Sequence, residues 1–354
     1  MFSTDRNLLR EDSAVAARIE AYATEFGAID VIVLSRRNEK NGEARTLTLG
    51  GGSVQVYPTR SWHALCWGFD ALWLAMRCQK PDVITSQDPF ETGLIAWIVS
   101  LLRSAPLHMQ IHTDMTSPSF RRRSFVNRTR LVIAAFVLRR ACRIRVVLES
   151  IAEKLIKRGI TAPITVLPIY VDTAKYEHIE RLKHPRFKIS LLAVGRLEKE
   201  KHIDRCIVAL KAARDAGHDA GLTIVGSGRE AAALRALMSR YHLDRYVEFA
   251  GWQDDVSPYL AQADLVLVPS EYEGYGMVIV EALAAGVPVL ATDVGVAREA
   301  GAIVVAPQDF STALMRWIKS GPRQATLMNQ PYQDFNEFVA RVTADIAECA
   351  QERI

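Results

Sequence analysis

The clearest sign of chemistry in this chain is a glutamate set inside an apolar helical stretch. Between Gly274 and Thr292 the only charged residue is Glu281, which lies within the run from Met277 to Ala285. A buried carboxylate without a partner is costly, so a polar group is expected to satisfy it. We expect that partner to be a bound ligand.

A second glutamate precedes the same helix at a spacing that suits a long ligand. Glu273 is followed by Gly274, Tyr275 and Gly276, and Glu281 lies further along the predicted helix. The helical rise places the two carboxylates roughly 10 Å apart. Backbone amides at the positive end of a helix attract phosphates. The competing structural interpretation is that Glu281 caps a neighbouring loop and that Glu273 is exposed.

A pair of cations follows another predicted strand. The apolar residues 191–194 lead into Gly195, after which come Arg196 and Lys201. Ligands of open parallel sheets lie beyond the carboxyl ends of the strands, where these two side chains emerge. A bidentate guanidinium with a point-charge ammonium suits a diphosphate. The alternative is that both are ordinary solvated charges near the start of a helix.

Taken together, these segments resemble the retaining glycosyltransferases of family 4, the group 1 glycosyltransferases. The resemblance rests on residues 270–289 and on the Arg-x4-Lys pair, and it is strongest over residues 191–305. It implies that Glu273 contacts the donor sugar and that Glu281 holds the ribose diol. Arg196 and Lys201 would stabilise the diphosphate leaving group, and the amides of residues 274–276 would meet the phosphates.

The resemblance also implies the GT-B architecture, an α/β fold of two Rossmann-like, doubly wound parallel-sheet domains facing a central cleft. We expect an acceptor-side domain at 1–170, a nucleotide-sugar donor domain at 171–330, and a terminal helix at 331–354 that crosses back to the first domain. Alternating apolar strands and helical patterns favour two parallel sheets. The predicted strands are 29–34, 54–57, 83–85, 107–111, 144–148, 164–167, 189–194, 222–225, 246–249, 265–268, 289–291 and 303–305.

A glycine-rich turn supports a rival hypothesis, a nicotinamide-dependent oxidoreductase. Gly226 and Gly228 follow a predicted strand in the Gly-x-Gly-x-x-Ala pattern of dinucleotide-binding proteins. However, the pattern follows the second strand of its domain, and Glu248, the acidic residue at the required distance, falls inside a strand. We expect these glycines near the donor nucleotide, and simple turn geometry is nearly as good an explanation.

In the first half of the chain, the candidate for chemistry is His112. It follows the predicted strand 107–111 at the end that faces ligands in open sheets. A lone histidine is more often structural, but the resembling family often places a histidine here, over the donor sugar. The resemblance therefore implies hydrogen bonding to the sugar by His112, with Asp114 helping to position the acceptor.

The charge of the chain is unevenly divided. Residues 1–172 carry 23 Lys and Arg against 16 Asp and Glu, whereas the remainder carries 21 against 24. The excess lies in 121–145, which has no acidic residue. A basic cluster of this kind suits an anionic lipid surface or a phosphorylated lipid acceptor, and a solvated basic face is the alternative. Its nine arginines are Arg121, Arg122, Arg123, Arg128, Arg130, Arg139, Arg140, Arg143 and Arg145.

Other features bear on location and on the first domain. No apolar run approaches a membrane span, and five scattered cysteines suit a reducing compartment, so we expect a cytoplasmic protein, with the inner face of the plasma membrane as a contact. Nucleic acid is not an expected partner. Residues 1–3 are expected to be too short for a central strand, which predicts either a start codon further upstream or a less stable first domain.

The sequence therefore predicts a metal-independent, retaining glycosyltransferase without a cofactor. The expected donor is a UDP- or GDP-sugar, and the expected acceptor is a glycan or lipid-linked hydroxyl in the assembly of a surface polysaccharide or glycolipid. The two alternatives are the oxidoreductase and a non-catalytic protein that binds sugar nucleotides.

Overall fold

The computed structural model describes residues 1–10, 13–35, 47–49, 53–61, 63 and 66–352. The chain divides into two compact units. The first comprises Met1–Pro168 together with Asp334–Ile354, and the second comprises Ile169–Gln333.

The described strands of the first unit form one sheet in the order β3-β4-β2-β1-β5-β6-β7-β8. All neighbouring pairs are parallel except β3 with β4, which is antiparallel. Side chains of a doubly covered parallel sheet are normally apolar on both faces, and the buried residues Val31, Ile32 and Val33 of β2 follow this rule. The strands are β1 Phe2–Ser3, β2 Ile29–Val33, β3 Leu47–Leu49, β4 Val54–Pro58, β5 Ile84–Ser86, β6 Leu107–Ile111, β7 Arg143–Val146 and β8 Ile164–Val166.

Strand β1 lies in the middle of this sheet although it has only two residues. Phe2 pairs with both Ile32 and Ser86, and Ser3 pairs with Val33. The expectation that these residues are too short for a central strand is therefore wrong. The associated expectation of a less stable first domain stays a prediction.

Among the described residues, six α-helices of the first unit precede the second unit. They are α1 Ala14–Phe26, α2 Trp67–Arg77, α3 Glu91–Arg103, α4 Pro118–Arg123, α5 Phe125–Leu138 and α6 Glu149–Lys157. Ser124 separates α4 from α5 because its backbone is extended, and its hydroxyl caps α5 by accepting a hydrogen bond from the Asn127 amide. Consequently the arginines of 121–130 do not belong to one continuous helix.

The second unit contains a parallel sheet in the order β11-β10-β9-β12-β13-β14. From β9 the chain proceeds to β10 and β11 on one side and to β12, β13 and β14 on the other. The strand order therefore reverses between β9 and β12, which is where open α/β sheets bind ligands. The strands are β9 Ile189–Val194, β10 Ala220–Val225, β11 Val247–Gly251, β12 Leu265–Val268, β13 Val289–Thr292 and β14 Ile303–Val305.

Apolar helical faces cover this second sheet. Leu210 on α8 and Phe310 and Leu314 on α13 are buried in one cluster with Leu191 and Leu222 of the strands. Burial of each such side chain contributes about 1.5–3 kcal/mol, which holds the strand ends in place. The helices are α7 Ala174–Glu177, α8 Ile203–Asp215, α9 Ala231–Arg240, α10 Ser257–Gln262, α11 Met277–Ala284, α12 Ala297–Ala300 and α13 Phe310–Ser320.

The final helix, α14 Phe335–Gln351, belongs to the first unit. Asp334 caps it by accepting a hydrogen bond from the Glu337 amide, so the helix begins a few residues later than Pro331 suggested. Phe338 is buried, and its ring lies 6.3 Å from that of Tyr22 on α1. Helix α14 thereby closes one face of the first sheet, against β6 and α1.

Candidate functional site

The predicted site residues of the second unit follow three neighbouring strands. Arg196 and Lys201 come after β9, Gly226 and Gly228 after β10, and Glu273 after β12. Because β10, β9 and β12 are adjacent and parallel, their carboxyl ends lie at one edge of the sheet.

Lys201 and Glu273 form a close ion pair across the switch point. The Lys201 Nζ lies 2.6 Å from both Oε1 and Oε2 of Glu273. The Ser270 hydroxyl donates to Glu273 Oε1 at 2.7 Å. The side chains of Lys201 and Glu273 are only 17% and 10% exposed, respectively. The interpretation that Glu273 is exposed is therefore wrong, and removing one partner would leave a charge in a mostly buried place.

Arg196 is the accessible cation of the pair predicted from the sequence. Its side chain is 66% exposed, and its Nη2 lies 3.4 Å from Oε1 of the buried Glu200. It follows Gly195, whose φ of 151° favours glycine. Beyond it the chain makes a short 3-10 turn through Lys201 and enters α8. Because most of this side chain is exposed, the guanidinium can bond an anion at the edge of the sheet in addition to Glu200.

The glycine turn has a packing explanation. A Cβ at Gly226 would lie 1.9 Å from the Gly195 carbonyl oxygen, and one at Gly228 would lie 2.3 Å from that of Leu197. The Leu197 amide also donates to the Ser227 carbonyl at 2.8 Å. The glycines thus allow two backbone loops, after β9 and after β10, to touch. Their contact with a nucleotide stays a prediction.

Glu281 has a partner within the protein. Burial raises the pKa of its carboxyl group, while the positive charge of Lys175 and a hydrogen bond from the Tyr176 hydroxyl oppose that rise. Lys175 and Tyr176 lie on α7, which packs against α11. Glu281 therefore has a polar partner in the protein itself, and its contact with a ligand stays a prediction. The carboxylate still stands in a helix where burial penalises its charge.

The start of α11 is shaped by a glycine. Gly276 is the N-cap residue of this helix and has a φ of 95°. Because glycine has no side chain, Gly276 cannot cap the amides of the first turn with one. Tyr275 is buried, and its carbonyl accepts a hydrogen bond from the Val296 amide at 2.8 Å. This anchoring fixes the path of the backbone from Gly274 into the helix.

In the first unit, His112 follows β6 and is partly exposed. Its Nε2 lies 3.1 Å from Gln110 Oε1. Burial, followed by the nearby charges of Arg145 and Arg18, lowers the pKa of His112 to about 3, so the ring is neutral at neutral pH. Asp114 accepts a hydrogen bond from Lys154 Nζ at 3.1 Å.

The arginine segment does not form one surface. Arg145 is buried and donates to the Leu167 carbonyl oxygen, and Arg143 is bonded to Asp345 of α14 at 2.6 Å. Arg130 lies 2.8 Å from Glu91. The prediction of a single basic cluster is wrong for these three residues, because β7 carries two of them into the unit. Arg121, Arg122, Arg128, Arg139 and Arg140 are exposed, and the side chain of Arg123 lies outside the described residues.

Comparison with known families decides the classification. Residues 188–320 match the model described as "Glycosyl transferases group 1", and residues 14–169 match the "Glycosyl transferase 4-like domain". The first match falls within the second unit, and the second match falls within the first unit apart from residue 169. The chain belongs to the group 1 glycosyltransferases.

Individual relatives are similar to parts of this glycosyltransferase. A GDP-mannose-dependent phosphatidylinositol dimannoside mannosyltransferase from Mycobacterium tuberculosis is 37% identical over 145 residues, which cover 38% of this chain and 37% of the relative. The M. tuberculosis glycogen synthase is 33% identical over 174 residues, covering 46% and 42%. The chain thus spans less than two thirds of the length of these curated relatives.

Solved structures extend the similarity over the whole glycosyltransferase chain. HepE from Anabaena, solved with UDP, has a TM-score of 0.66 at 17% identity and covers 99% of this chain and 96% of its own. Sucrose-phosphate synthase from Thermosynechococcus elongatus has a TM-score of 0.72 at 19% identity, covering 96% and 90%. At such identities the likeness shows the fold alone. The GT-B fold class expected from the sequence is confirmed.

The oxidoreductase hypothesis is not supported by these findings. The residues that resemble a dinucleotide-binding turn lie inside the segment that matches the group 1 glycosyltransferases. Gly226 and Gly228 are explained by contact between loops. Glu248 lies within β11, 3.7 Å from Arg186.

A search of the described residues for membrane-spanning helices finds none with the length and apolar character that a span requires.

Two buried polar residues of this glycosyltransferase, His108 and Gln110, could not be identified as functional candidates from the motifs alone. His108 and Gln110 are buried within β6, on the same face as His112 because side chains alternate along a strand. A central parallel strand is normally apolar on both faces, so the alternation in Leu-His-Met-Gln-Ile-His was the signal that could have revealed them.

Proposed function

We propose that this chain transfers a sugar from a nucleoside-diphosphate donor to a hydroxyl acceptor during assembly of a surface polysaccharide or glycolipid. The observation that carries the proposal is the Lys201–Glu273 pair at the switch point of the second sheet, inside the segment that matches the family. Relatives whose names specify mannosyl transfer and glycogen synthesis support this class of activity. UDP in the HepE structure supports a nucleotide donor.

In the proposed donor site, different residues bind the diphosphate, the sugar and the ribose of the donor. Arg196 and Lys201 bond the diphosphate, and the ammonium retains Glu273 while doing so because it has three donors. Glu273 accepts from hydroxyls of the sugar, and Glu281 accepts from the ribose diol. The amides at residues 274–276 face the phosphates, and Gly226 and Gly228 admit the nucleotide close to the backbone.

The proposed reaction is retaining and needs no metal ion. The two cations stabilise the negative charge that grows on the leaving diphosphate, which is where most of the catalytic effect arises. The leaving phosphate accepts the proton of the attacking hydroxyl on the same face of the sugar. Neutral His112 hydrogen-bonds to the sugar and does not act as a nucleophile.

Thermal shift with a panel of nucleotides tests this proposal. UDP-, GDP- and ADP-sugars are compared with NAD(H) and NADP(H), and we expect a UDP- or GDP-sugar to raise the melting temperature. A response to nicotinamide nucleotides alone would contradict the proposal. Donor turnover is then measured with and without glycan acceptors. Binding without any turnover would instead favour a non-catalytic sugar-nucleotide-binding protein.

Two further measurements test the finer claims. NMR of the product gives the anomeric configuration, and we expect it to match that of the donor sugar. Turnover in excess EDTA is expected to equal turnover without it. An inverted product would contradict retention, and loss of activity that Mg²⁺ restores would contradict metal independence.

We further propose that the first unit docks on an anionic membrane at the cytoplasmic face. Helix α3 packs against both α2 and α5, and these three helices expose large apolar side chains. The exposed arginines nearby supply the complementary charge for anionic lipid. The exposed apolar residues are Phe69, Trp73, Leu101, Leu102, Phe125 and Val132.

Sedimentation with vesicles tests the docking proposal. Replacing Arg121 and Arg122 by Ser is expected to reduce binding to anionic vesicles, and wild-type binding is expected to fade with salt because surface charges are screened within about 8 Å. The matched control replaces Arg240 and Arg245, exposed arginines of the second unit, by Ser. Equal loss in both double variants would point to net charge and would contradict a dedicated surface.

A further inference from the structure

A continuous chain of hydrogen bonds runs through the first unit from α14 to His112. Asp345 Oδ2 lies 2.9 Å from His108 Nε2, and His108 Nδ1 lies 3.1 Å from Thr85 Oγ1. Gln110 Nε2 lies 3.1 Å from the same hydroxyl, and its Oε1 lies 3.1 Å from His112 Nε2. All of these residues except His112 are buried.

The direction of every bond follows from one fixed end. Arg143 Nε donates to Asp345 Oδ1 at 2.6 Å, and a guanidinium only donates. Burial alone would raise the pKa of Asp345, but hydrogen bonds from His108, Thr165 and Arg143 lower it to about 2, so the carboxylate only accepts. Burial lowers the pKa of His108 below its ordinary value, so its ring is neutral and carries one proton. That proton lies on Nε2, which donates to Asp345, and Nδ1 accepts.

Once the tautomer of His108 is assigned, the donor and acceptor roles of Thr85, Gln110 and His112 follow. The Thr85 hydroxyl has one proton, which it donates to His108 Nδ1. Its oxygen must then accept from the amide nitrogen of Gln110. That leaves the amide oxygen of Gln110 facing His112, whose Nε2 must carry the ring proton. Nδ1 of His112 is the acceptor, and no described residue bonds to it.

We propose that Asp345, His108, Thr85 and Gln110 are positioning residues that hold His112 in the Nε2-protonated tautomer, so that its Nδ1 accepts a hydrogen bond from a substrate hydroxyl. This inference rests on the proposed function for the identity of the hydroxyl, which belongs to the donor sugar. The tautomer itself is a property of the protein without any substrate.

The location of these hydrogen-bonded side chains on β5 and β6 supports a role beyond packing. Thr85 and His108 are register partners on adjacent parallel strands. His108, Gln110 and His112 occupy alternate positions of one strand, so the three side chains lie in a row. Apolar residues would fill this row at a lower desolvation cost, whereas a satisfied polar network fixes one orientation of each group. The row ends at the partly exposed ring of His112.

A single substitution is expected to reverse the direction of every hydrogen bond between residue 345 and His112. In Asp345→Asn, the amide oxygen must face Arg143, so the amide nitrogen donates to His108 Nε2. His108 then donates from Nδ1 to Thr85, Thr85 donates to the Gln110 oxygen, and the Gln110 nitrogen donates to His112 Nε2. The His112 proton moves to Nδ1, which can no longer accept.

Nitrogen NMR of the histidine rings in the full chain without ligand measures this change directly. The His112 signal is assigned by its loss in His112→Gln. We expect an Nε2-protonated ring in the wild type and an Nδ1-protonated ring in Asp345→Asn. The matched control is Glu348→Gln, since Glu348 also pairs with Arg143 but does not touch His108. The same His112 tautomer in the wild type and Asp345→Asn would overturn the proposal.

Thr85 supplies a second test that does not require Asp345→Asn to fold. Thr85→Val breaks the chain in its middle, so we expect His112 to show both tautomers, while Thr85→Ser retains one. With the donor identified, Thr85→Val should lower kcat roughly ten-fold or more with little change in the KM for donor, and Thr85→Ser should restore it.

The two proposals fail in different ways. A single unchanged tautomer in Thr85→Val, with only a lower melting temperature, would overturn the positioning role and leave glycosyl transfer intact. Correct ring signals in a protein that turns over no sugar nucleotide would contradict the proposed function instead.

Discussion

The two sheets place their polar groups differently. In the second unit, β12 is entirely apolar, and the charged residues Lys201 and Glu273 lie in loops after the strands. In the first unit, β6 and β7 carry polar residues within the strands, among them His108 and Arg145. A motif in a loop can be recognised from the sequence. The role of a polar residue inside a strand, in contrast, depends on the residues that pack against it in the tertiary structure.

This difference predicts that charges of the second unit matter mainly for the ligand and those of the first mainly for the fold. Four sets of substitutions, in order of decreasing expected effect, test that contrast and the glycine turn beside the charged pair.

Replacing Lys201 by Ala should lower transition-state stabilisation by about 2–4 kcal/mol, measured as kcat/KM for the donor. The variant should also melt earlier, because Glu273 is left charged in a mostly buried place. The double variant Lys201→Ala/Glu273→Gln should recover stability but not activity. Arg196→Ala should lose activity without melting earlier, since its side chain is mostly exposed. Wild-type turnover in Lys201→Ala would contradict the diphosphate role.

Replacing Arg145 by Met should destabilise the first unit by about 3 kcal/mol, measured by denaturant unfolding. The substitution removes hydrogen bonds to the carbonyls of Leu167 and Pro168 inside the protein. Arg139→Met is the control, because Arg139 belongs to the same segment but is exposed. Equal stability of the two variants would remove the contrast between the buried and exposed arginines.

Replacing Gly228 by Ala should destabilise the second unit by roughly 1–3 kcal/mol, because the new methyl group overlaps the Leu197 carbonyl. Gly68→Ala on α2 is the matched control, since a Cβ there meets nothing within 4 Å. That control should be neutral or slightly stabilising. If Gly228→Ala keeps its melting temperature but loses nucleotide binding, the glycine serves the ligand rather than the loop contact.

The smallest expected effects separate the two glutamates. Glu281→Gln should weaken binding of both free nucleoside diphosphate and sugar donor, whereas Glu273→Gln should spare the free nucleotide, as measured by calorimetry. Burial raises the pKa of Glu281, so its contribution to stability is present below its ordinary pKa and is lost as pH rises through the raised value. Glu281→Gln should therefore melt slightly later than wild type at neutral pH without ligand. Identical nucleotide affinities of the two variants would contradict the division of roles.

Much of the fold was predictable because strand and helix periods are local. The twelve predicted strands match the observed ones to within two residues at each end. Strand β3 was not predicted, and β1 was rejected as a central strand because it is so short. Lys201 and Glu273 could be found because residues after parallel strands gather at one edge of a sheet. Their direct contact could not be predicted, since it depends on β9 and β12 being neighbours.

The sequence by itself determined the alternation of strands and helices, the family motifs and the positions of the cations and carboxylates along the chain. The tertiary structure decided which of them meet. It paired Glu281 with Tyr176, buried Arg145, and brought Asp345 to His108 across most of the chain. The physical reason is that local patterns encode periodicity, whereas strand order and helix docking choose the partners of each buried polar group.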